Sequence, residues 1–432
     1  MNLERCPDGQ AIEVARGLAT GYTEEEYLLR GTAASYADEL ASYVTRILVR
    51  RPEHFSGTVV VEWFNVSSFM DAGVEWQYIH SELLRSGMVW VGVSAQCLGV
   101  TGSVHPVDGP APGGLKASNP ERYGMLDHPG DDFSYDIFSQ AGMAIRELFP
   151  GARLIAAGMS LGAYMLTTYI NEVDPIAQVY DGFLPHCRIG IAPALVPSRR
   201  PATSGLDGTP VPFRADPRVP VLALVTETDV ITAGYAGARR PDGSNLRVWE
   251  LAGASHADTY LNTTGRLDLT HATPAELAAA LAPTTRVIGM DLQHLANSGP
   301  QHHYVAKAAI RRLDQWVRED VPPPQAPPLA TVPGPALERD DHGNALGGVR
   351  TPWMEVPAAV LTGVSPDDGV LGRLFGLTVP FSPAILDSLY GDGYLPAFEA
   401  ATDDAVAKGF LLADDAPEIK ALAAASMQAR VP

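Results

Sequence analysis

The sequence predicts an α/β architecture, a mostly parallel central sheet flanked by helices and opened by antiparallel strands. Three features of the 432-residue chain point to it. Strand-like and helix-like segments alternate over residues 1–320. Several strand-like segments are unbroken apolar runs, such as Val59-Val60-Val61 and Val221-Leu222-Ala223-Leu224-Val225, which suit strands buried on both faces. The earliest strands follow one another without helices, and the later ones alternate with them.

The strand candidates, in order, are Glu25–Thr32, Tyr43–Val49, Thr58–Phe64, Met88–Ser94, Arg153–Ala157, Gly182–His186, Val219–Val225 and Leu246–Leu251. The helix candidates are Val74–Ser86, Phe133–Phe149, Leu161–Glu172 and Tyr304–Arg318. The last carries Ala309, Ile310, Leu313 and Trp316 at helical spacing. Two stretches are too long for plain loops and are expected to form a lid or pocket wall: residues 190–218, rich in Pro, Arg and Ser, and residues 257–303, with one short helix at Pro274–Leu281. Val321–Ala336 (VPPPQAPPLATVPGPA) is Pro-rich, hence extended, and ends the preceding helix. It divides a catalytic domain, 1–320, from a C-terminal extension, 337–432.

Composition narrows the function. A hydrophobic content of 46% supports a large core. Fifty acidic against 31 basic residues give a net charge of −19, which repels nucleic acid and anionic membranes and favours a neutral organic substrate. The basic residues are nearly all Arg, with Lys only at 116, 307, 408 and 420; together with abundant Ala, Gly and Pro this suggests a GC-rich bacterial source. Three scattered cysteines, Cys6, Cys97 and Cys187, indicate neither a disulfide framework nor a zinc cluster. The N-terminus lacks a secretory pattern, and no run of 18 apolar residues exists, so a cytoplasmic location is expected. The absence of HExxH, GxxxxGK[ST] and a GxGxxG after the first strand leaves no cofactor or metal expected.

Gly158-Met159-Ser160-Leu161-Gly162 stands between an apolar strand and a helix. That context is a nucleophile elbow. The turn strains its central Ser, and glycines two residues to either side remove side chains that would collide. The helix that starts there offers N–H groups to developing negative charge. A hydroxyl nucleophile needs a base, and the base needs an orienting acid. The strand Val219–Val225 runs into Thr226-Glu227-Thr228-Asp229, which places Asp229 as the acid with Glu227 as its rival. The strand Leu246–Leu251 runs into Ala252-Gly253-Ala254-Ser255-His256, which places His256 as the base. His302 and His303 open a helix as capping or pocket-lining candidates, His128 lies in a loop, and His105 and His186 read as structural. The oxyanion hole requires two N–H donors. Leu161 supplies one; Val66 or Ser67, after the strand Thr58–Phe64, supplies the other. Met70, Trp76, Trp90, Tyr123, Met125, Phe213 and Tyr235 are pocket-rim candidates that could equally be core.

The order GMSLG, TETDV, GASHAD resembles the α/β-hydrolase-fold serine esterases, and more narrowly the bacterial group known only as α/β-hydrolase domain-containing proteins. WFNVSS, WVGVSAQ, LDHPGDDFSYDIFSQAG, YDGFLPHC and GGVRTPWMEVP share that look, so the likeness extends past the Pro-rich stretch. The resemblance implies an extension packed on the hydrolase domain, hydrolysis of a small or medium-sized carboxylic ester without cofactor or metal, and a triad of Ser160, His256 and Asp229. It departs from the lipase-like HGGG loop, because Asn65 stands where a His is common. Acyl transfer or lactone opening could run on the same triad. A non-catalytic binding scaffold would be expected to lack the Ser or the His.

Overall fold

The structure is a computed structural model that describes residues 1–7, 11–14, 21–102, 113–196, 208–264, 269, 271–334, 336–366, 369 and 371–428. Nine strands form one sheet: β1 (Asn2–Arg5), β2 (Tyr22–Ala34), β3 (Leu40–Pro52), β4 (Thr58–Trp63), β5 (Val89–Val93), β6 (Arg153–Met159), β7 (Gly182–His186), β8 (Val221–Thr226) and β9 (Leu246–Leu251). Their order is β1-β2-β3-β5-β4-β6-β7-β8-β9. The β1/β2, β2/β3 and β3/β5 pairs are antiparallel. Every pair from β5 through β9 is parallel. The fold is therefore the expected mostly parallel sheet with an antiparallel start.

The strand order creates a crevice. From β4 the chain moves outward to β5, then crosses back to β6 on the other side of β4. The loops leaving β4 and β6 thus diverge at their C-terminal ends, the point where open α/β sheets bind ligands. Helices α1 (Val74–Arg85) and α5 (Gln301–Glu319) share one face and one apolar cluster, through Trp76, Ile79, Leu83, Tyr304, Ile310 and Leu313. Helices α2 (Ser134–Leu148) and α3 (Leu161–Thr168) share the other, through Ile137, Phe138, Ile145, Met165 and Leu166. The apolar runs of β4 and β8 are buried at every position, as strands covered on both sides require.

Some bounds differ from expectation. β2 and β3 are 13 residues each, longer than the apolar pattern suggested. β1 was not anticipated, since its NLER sequence lies mostly exposed on a sheet edge. The helix expected over Leu161–Glu172 is α-helical only to Thr168 and continues as a π turn over Tyr169–Val173. Residues 257–303 carry a further helix, Thr259–Thr264, besides Pro274–Ala280.

The extension packs on the α1/α5 face. Its helices Tyr394–Ala407 and Ala416–Gln428 add Phe398, Ile419 and Leu422 to that cluster. The Pro-rich stretch runs against β9: Trp249 Nε1 donates to Pro324 O at 2.8 Å, and Leu329 N to Glu250 Oε2 at 2.8 Å. Val349 then bridges the end of β9, its N–H donating to Glu250 O at 2.7 Å. No helix among the described residues is long and apolar enough to cross a membrane.

The loop after β4 is anchored by a buried ion pair. Arg46 on β3 is fully buried; its Nη2 lies 2.8 Å from Asp71 Oδ2 and its Nη1 3.7 Å from Glu26 Oε1. Asp71 closes the loop that begins at Asn65, whose N–H and C=O pair with Ala72 at 3.1 and 2.9 Å. Arg46→Ala leaves the buried Asp71 carboxylate without its cation, while Glu26 keeps Arg122 and Tyr123, and is expected to cost about 3–5 kcal/mol, read as a lowered midpoint in urea unfolding. An unchanged midpoint would remove Arg46 from the anchoring of this loop.

Candidate active site

Ser160 sits between β6 and α3 with φ 57° and ψ −110°. An L-residue held in such a region costs about 1–3 kcal/mol, so the surroundings must enforce it. They do so from both sides: Ser160 N donates to His186 O at 3.0 Å, and Ser160 O accepts from Tyr164 N at 2.8 Å. The two glycines are required by contact. A Cβ on Gly162 would stand 2.6 Å from Trp63 O on β4, and one on Gly158 would stand 2.9 Å from the Gly162 carbonyl carbon. The elbow can form only because the strand, the helix and β4 meet backbone to backbone.

The carboxylates after β8 face different partners. Helix α4 (Glu227–Ile231) begins with a capping box, in which Asp229 Oδ2 accepts from Thr226 N at 2.7 Å and from Thr226 Oγ1 at 2.8 Å. Its other oxygen, Oδ1, lies 2.6 Å from His256 Nδ1. The opposite ring nitrogen, Nε2, lies 2.9 Å from Ser160 Oγ. Glu227 instead accepts from Gly253 N at 2.6 Å, Thr362 Oγ1 at 2.6 Å and Gly363 N at 2.9 Å. Burial pushes its carboxyl up, and those donors oppose the push.

The loop leaving β4 contributes backbone. Asn65 Nδ2 donates to Met159 O at 3.2 Å, stitching the loop to the elbow. Asn65 Oδ1 accepts from Ser67 N at 2.8 Å and also from the Ser67 hydroxyl. The Ser67 N–H is thereby taken, whereas that of Val66 donates to no backbone acceptor among the described residues. Leu161, as the first residue of α3, has an N–H with no intrahelical partner.

The extension clamps both loops that converge on Ser160. Gly363 O accepts from Thr228 Oγ1 at 2.6 Å, and Thr228 Oγ1 in turn accepts from His256 N at 3.0 Å. Ala257 N donates to Leu374 O at 2.9 Å. Gly253 O accepts from Asn297 Nδ2 at 2.9 Å and Gln301 Nε2 at 2.7 Å. None of these residues was singled out in the sequence; of the supporting residues, Thr226 alone carries a local signal that could have found it, the first position of a T-x-x-D capping box. The Glu227 partners Thr362 and Gly363 lie 135 and 136 residues away in the chain, and no local pattern marks them.

Other candidates lie elsewhere. His128 Nε2 faces Ala95 O at 2.9 Å. Trp76, Trp90, Tyr123, Phe213 and Tyr235 are buried core, so they form no rim. Met125 is exposed and Met70 half-buried. His302 and His303 do open α5, but both are fully buried. His105 and residues 197–207 of the stretch 190–218 lie outside the described residues.

A parallel sheet with a strained serine at its switch point defines an α/β hydrolase. The chain belongs to the alpha/beta hydrolase domain family, whose sequence pattern matches residues 9–421. Similar solved structures include an α/β serine hydrolase without a lid from Xanthomonas campestris, 12% identical, covering 53% of this chain and 85% of that one with a TM-score of 0.30. A cold-adapted esterase from an Arctic intertidal metagenomic library is 11% identical, covering 54% of this chain and 86% of that one with a TM-score of 0.32. A putative dienelactone hydrolase from Klebsiella pneumoniae is 13% identical, covering 56% and 93% respectively with a TM-score of 0.32. No curated protein matches the chain.

The two carboxylates separate experimentally. Asp229→Asn is expected to lower kcat by about 10³–10⁴-fold in folded protein. Glu227→Gln is expected chiefly to lower the thermal midpoint, because it breaks the clamp on Gly253 and Gly363. Steady-state kinetics beside thermal melts read both; the reverse pattern would exchange their roles.

Proposed function

We propose that the protein is a serine esterase that cleaves a small or medium-sized neutral carboxylic ester through Ser160, His256 and Asp229. The observation that carries this reading is the continuous line Ser160 Oγ–His256 Nε2 at 2.9 Å and His256 Nδ1–Asp229 Oδ1 at 2.6 Å. With Asp229 accepting at Nδ1–H, His256 presents the Nε2 lone pair to the serine hydroxyl. It takes the proton as Oγ attacks the ester carbonyl. The imidazolium so formed is stabilised by Asp229, and it then protonates the leaving alcohol. Water, activated by the same ring, releases the acid and restores the serine.

The tetrahedral oxyanion is proposed to lie between the N–H groups of Leu161 and Val66. Val66 is preferred over Ser67 because Asn65 already engages the Ser67 N–H. In this reading Asn65 does the work of a loop brace, holding Val66 over the elbow through Met159 O. The net charge of −19 favours neutral substrates over anionic ones. Residues 190–196, whose Pro193 O accepts from Thr168 Oγ1 on α3, are proposed as a pocket wall.

Hydrolysis of a p-nitrophenyl ester series from acetate to decanoate tests the proposal, with Ser160→Ala as control. Turnover is expected in the wild type and is expected to fall by about 10⁶-fold, to background, in the variant. The chain-length optimum sizes the acyl pocket. Wild-type rates in folded Ser160→Ala would overturn the assignment.

A further inference from the structure

Along the outer edge of β9 lies an open cavity of about 630 Å³, framed by residues 239–242, β9 itself and the Pro-rich stretch. That volume falls within the range of small-molecule sites, roughly 300–1,000 Å³. β9 is the last strand of the sheet, three places from β6, so the cavity stands apart from Ser160. Arg239 ties the Pro-rich stretch down beside it. Its Nε and Nη2 donate to Glu250 Oε1 and Oε2 at 2.8 and 2.7 Å, and Nη2 also to Leu329 O at 2.9 Å.

The next residue, Arg240, has no such employment. It lines the cavity half-buried, yet among the described residues it makes no ion pair, hydrogen bond or ring contact. Its Nε is sealed from solvent and has no acceptor. A shortage of acids is not the reason, since the chain carries 50 acidic against 31 basic residues. Both acids in the cavity wall are already engaged. Glu250 is held by Arg239 and by Leu329 N at 2.8 Å. Asp242 Oδ1 accepts from Val248 N at 3.0 Å, and its Oδ2 lies 3.8 Å from Arg247 Nε. One cation is left over inside the cavity. A sealed N–H without an acceptor costs free energy that a bound anion recovers.

The wall selects the anion. A guanidinium is a planar fork whose N–H groups match a carboxylate. Around it stand Pro241, Val248, Ala326, Pro327 and Pro328. Proline has no N–H, and that of Val248 is spent on Asp242. Gln325 adds one neutral amide. A phosphate, with three strong acceptor oxygens, would therefore meet a single cation and little else. A carboxylate on an apolar body uses both the cation and the wall. We propose that this cavity is a second binding site, for a small organic monocarboxylate, in which Arg240 pairs with the carboxylate while Val248, Ala326 and the prolines hold the apolar body. Occupancy joins residues 239–242 to the Pro-rich stretch and tightens the seam along β9. The site does not rest on the serine-esterase reading.

Calorimetric titration of the full-length protein with benzoate at low salt tests the site. One saturable site is expected, with a raised thermal midpoint, because a ligand that binds only folded protein stabilises it. Arg240→Met keeps the apolar stem and is expected to weaken benzoate roughly 10–100-fold, with a wild-type circular dichroism spectrum. Arg240→Lys is expected to fall between the two, since a point charge lacks the fork. Benzamide, alike in shape but uncharged, is expected to bind the wild type as weakly as benzoate binds Arg240→Met. Ser160→Ala is expected to leave benzoate affinity unchanged. No saturable benzoate binding, or equal affinity in folded Arg240→Met, would overturn the site. If Arg240→Met does not fold, equal affinity of the wild type for benzoate and benzamide would overturn it instead. Loss of binding in Ser160→Ala would move the carboxylate to the catalytic serine, and tighter binding of inorganic phosphate than of benzoate would overturn the choice of ligand.

Discussion

The contact between Gly162 and the Trp63 carbonyl is the constraint on which the rest of this molecule depends. With 2.6 Å from an imagined Cβ to that oxygen, only glycine lets α3 start beside β4. Because it starts there, Ser160 is driven to a positive φ and its side chain leaves the sheet at the switch point. The same closeness brings the β4 loop onto the elbow, where Asn65 holds Met159 O. The strain of one residue is thus set by the tight packing of three backbone segments, and the chemistry follows from where that packing puts an oxygen atom.

Against this fixed serine, Asp229 in the first turn of α4 and His256 in the loop after β9 both need support. Asp229 gains it locally, from a capping box that turns one oxygen inward to Thr226 and leaves the other for His256. His256 gains it from afar. Thr228 of α4, Leu374 of the extension and Tyr78 of α1 each tie its loop to a different element. The C-terminal extension is therefore a structural part of the hydrolase domain: its Thr362–Gly363 turn caps Glu227 and closes over both loops. In the proposed reaction this clamp limits how far His256 can swing between serine and leaving group.

The frame was legible because its signals are local. β7 and β9 end where expected, at His186 and Leu251, since polar or small-residue turns bound short apolar runs. The elbow was legible because glycine spacing reports backbone collision directly. The choice between Glu227 and Asp229 rested on placement in the loop, and their geometry now differs: Asp229 meets His256, while Glu227 meets the extension. β2 and β3 were cut short because exposed positions near their ends interrupt the apolar pattern. The cavity around Arg240 was illegible in principle. Its walls come from residues 239–242, from β9 and from the Pro-rich stretch, which meet only after folding.

The most direct measurement of the central claim is labelling of the wild-type protein by a fluorophosphonate, located by peptide mass spectrometry. The account expects a single adduct, on Ser160, that forms rapidly and is abolished by His256→Ala in folded protein. A stoichiometric adduct on another residue, or unlabelled Ser160 in protein that hydrolyses esters, would contradict it.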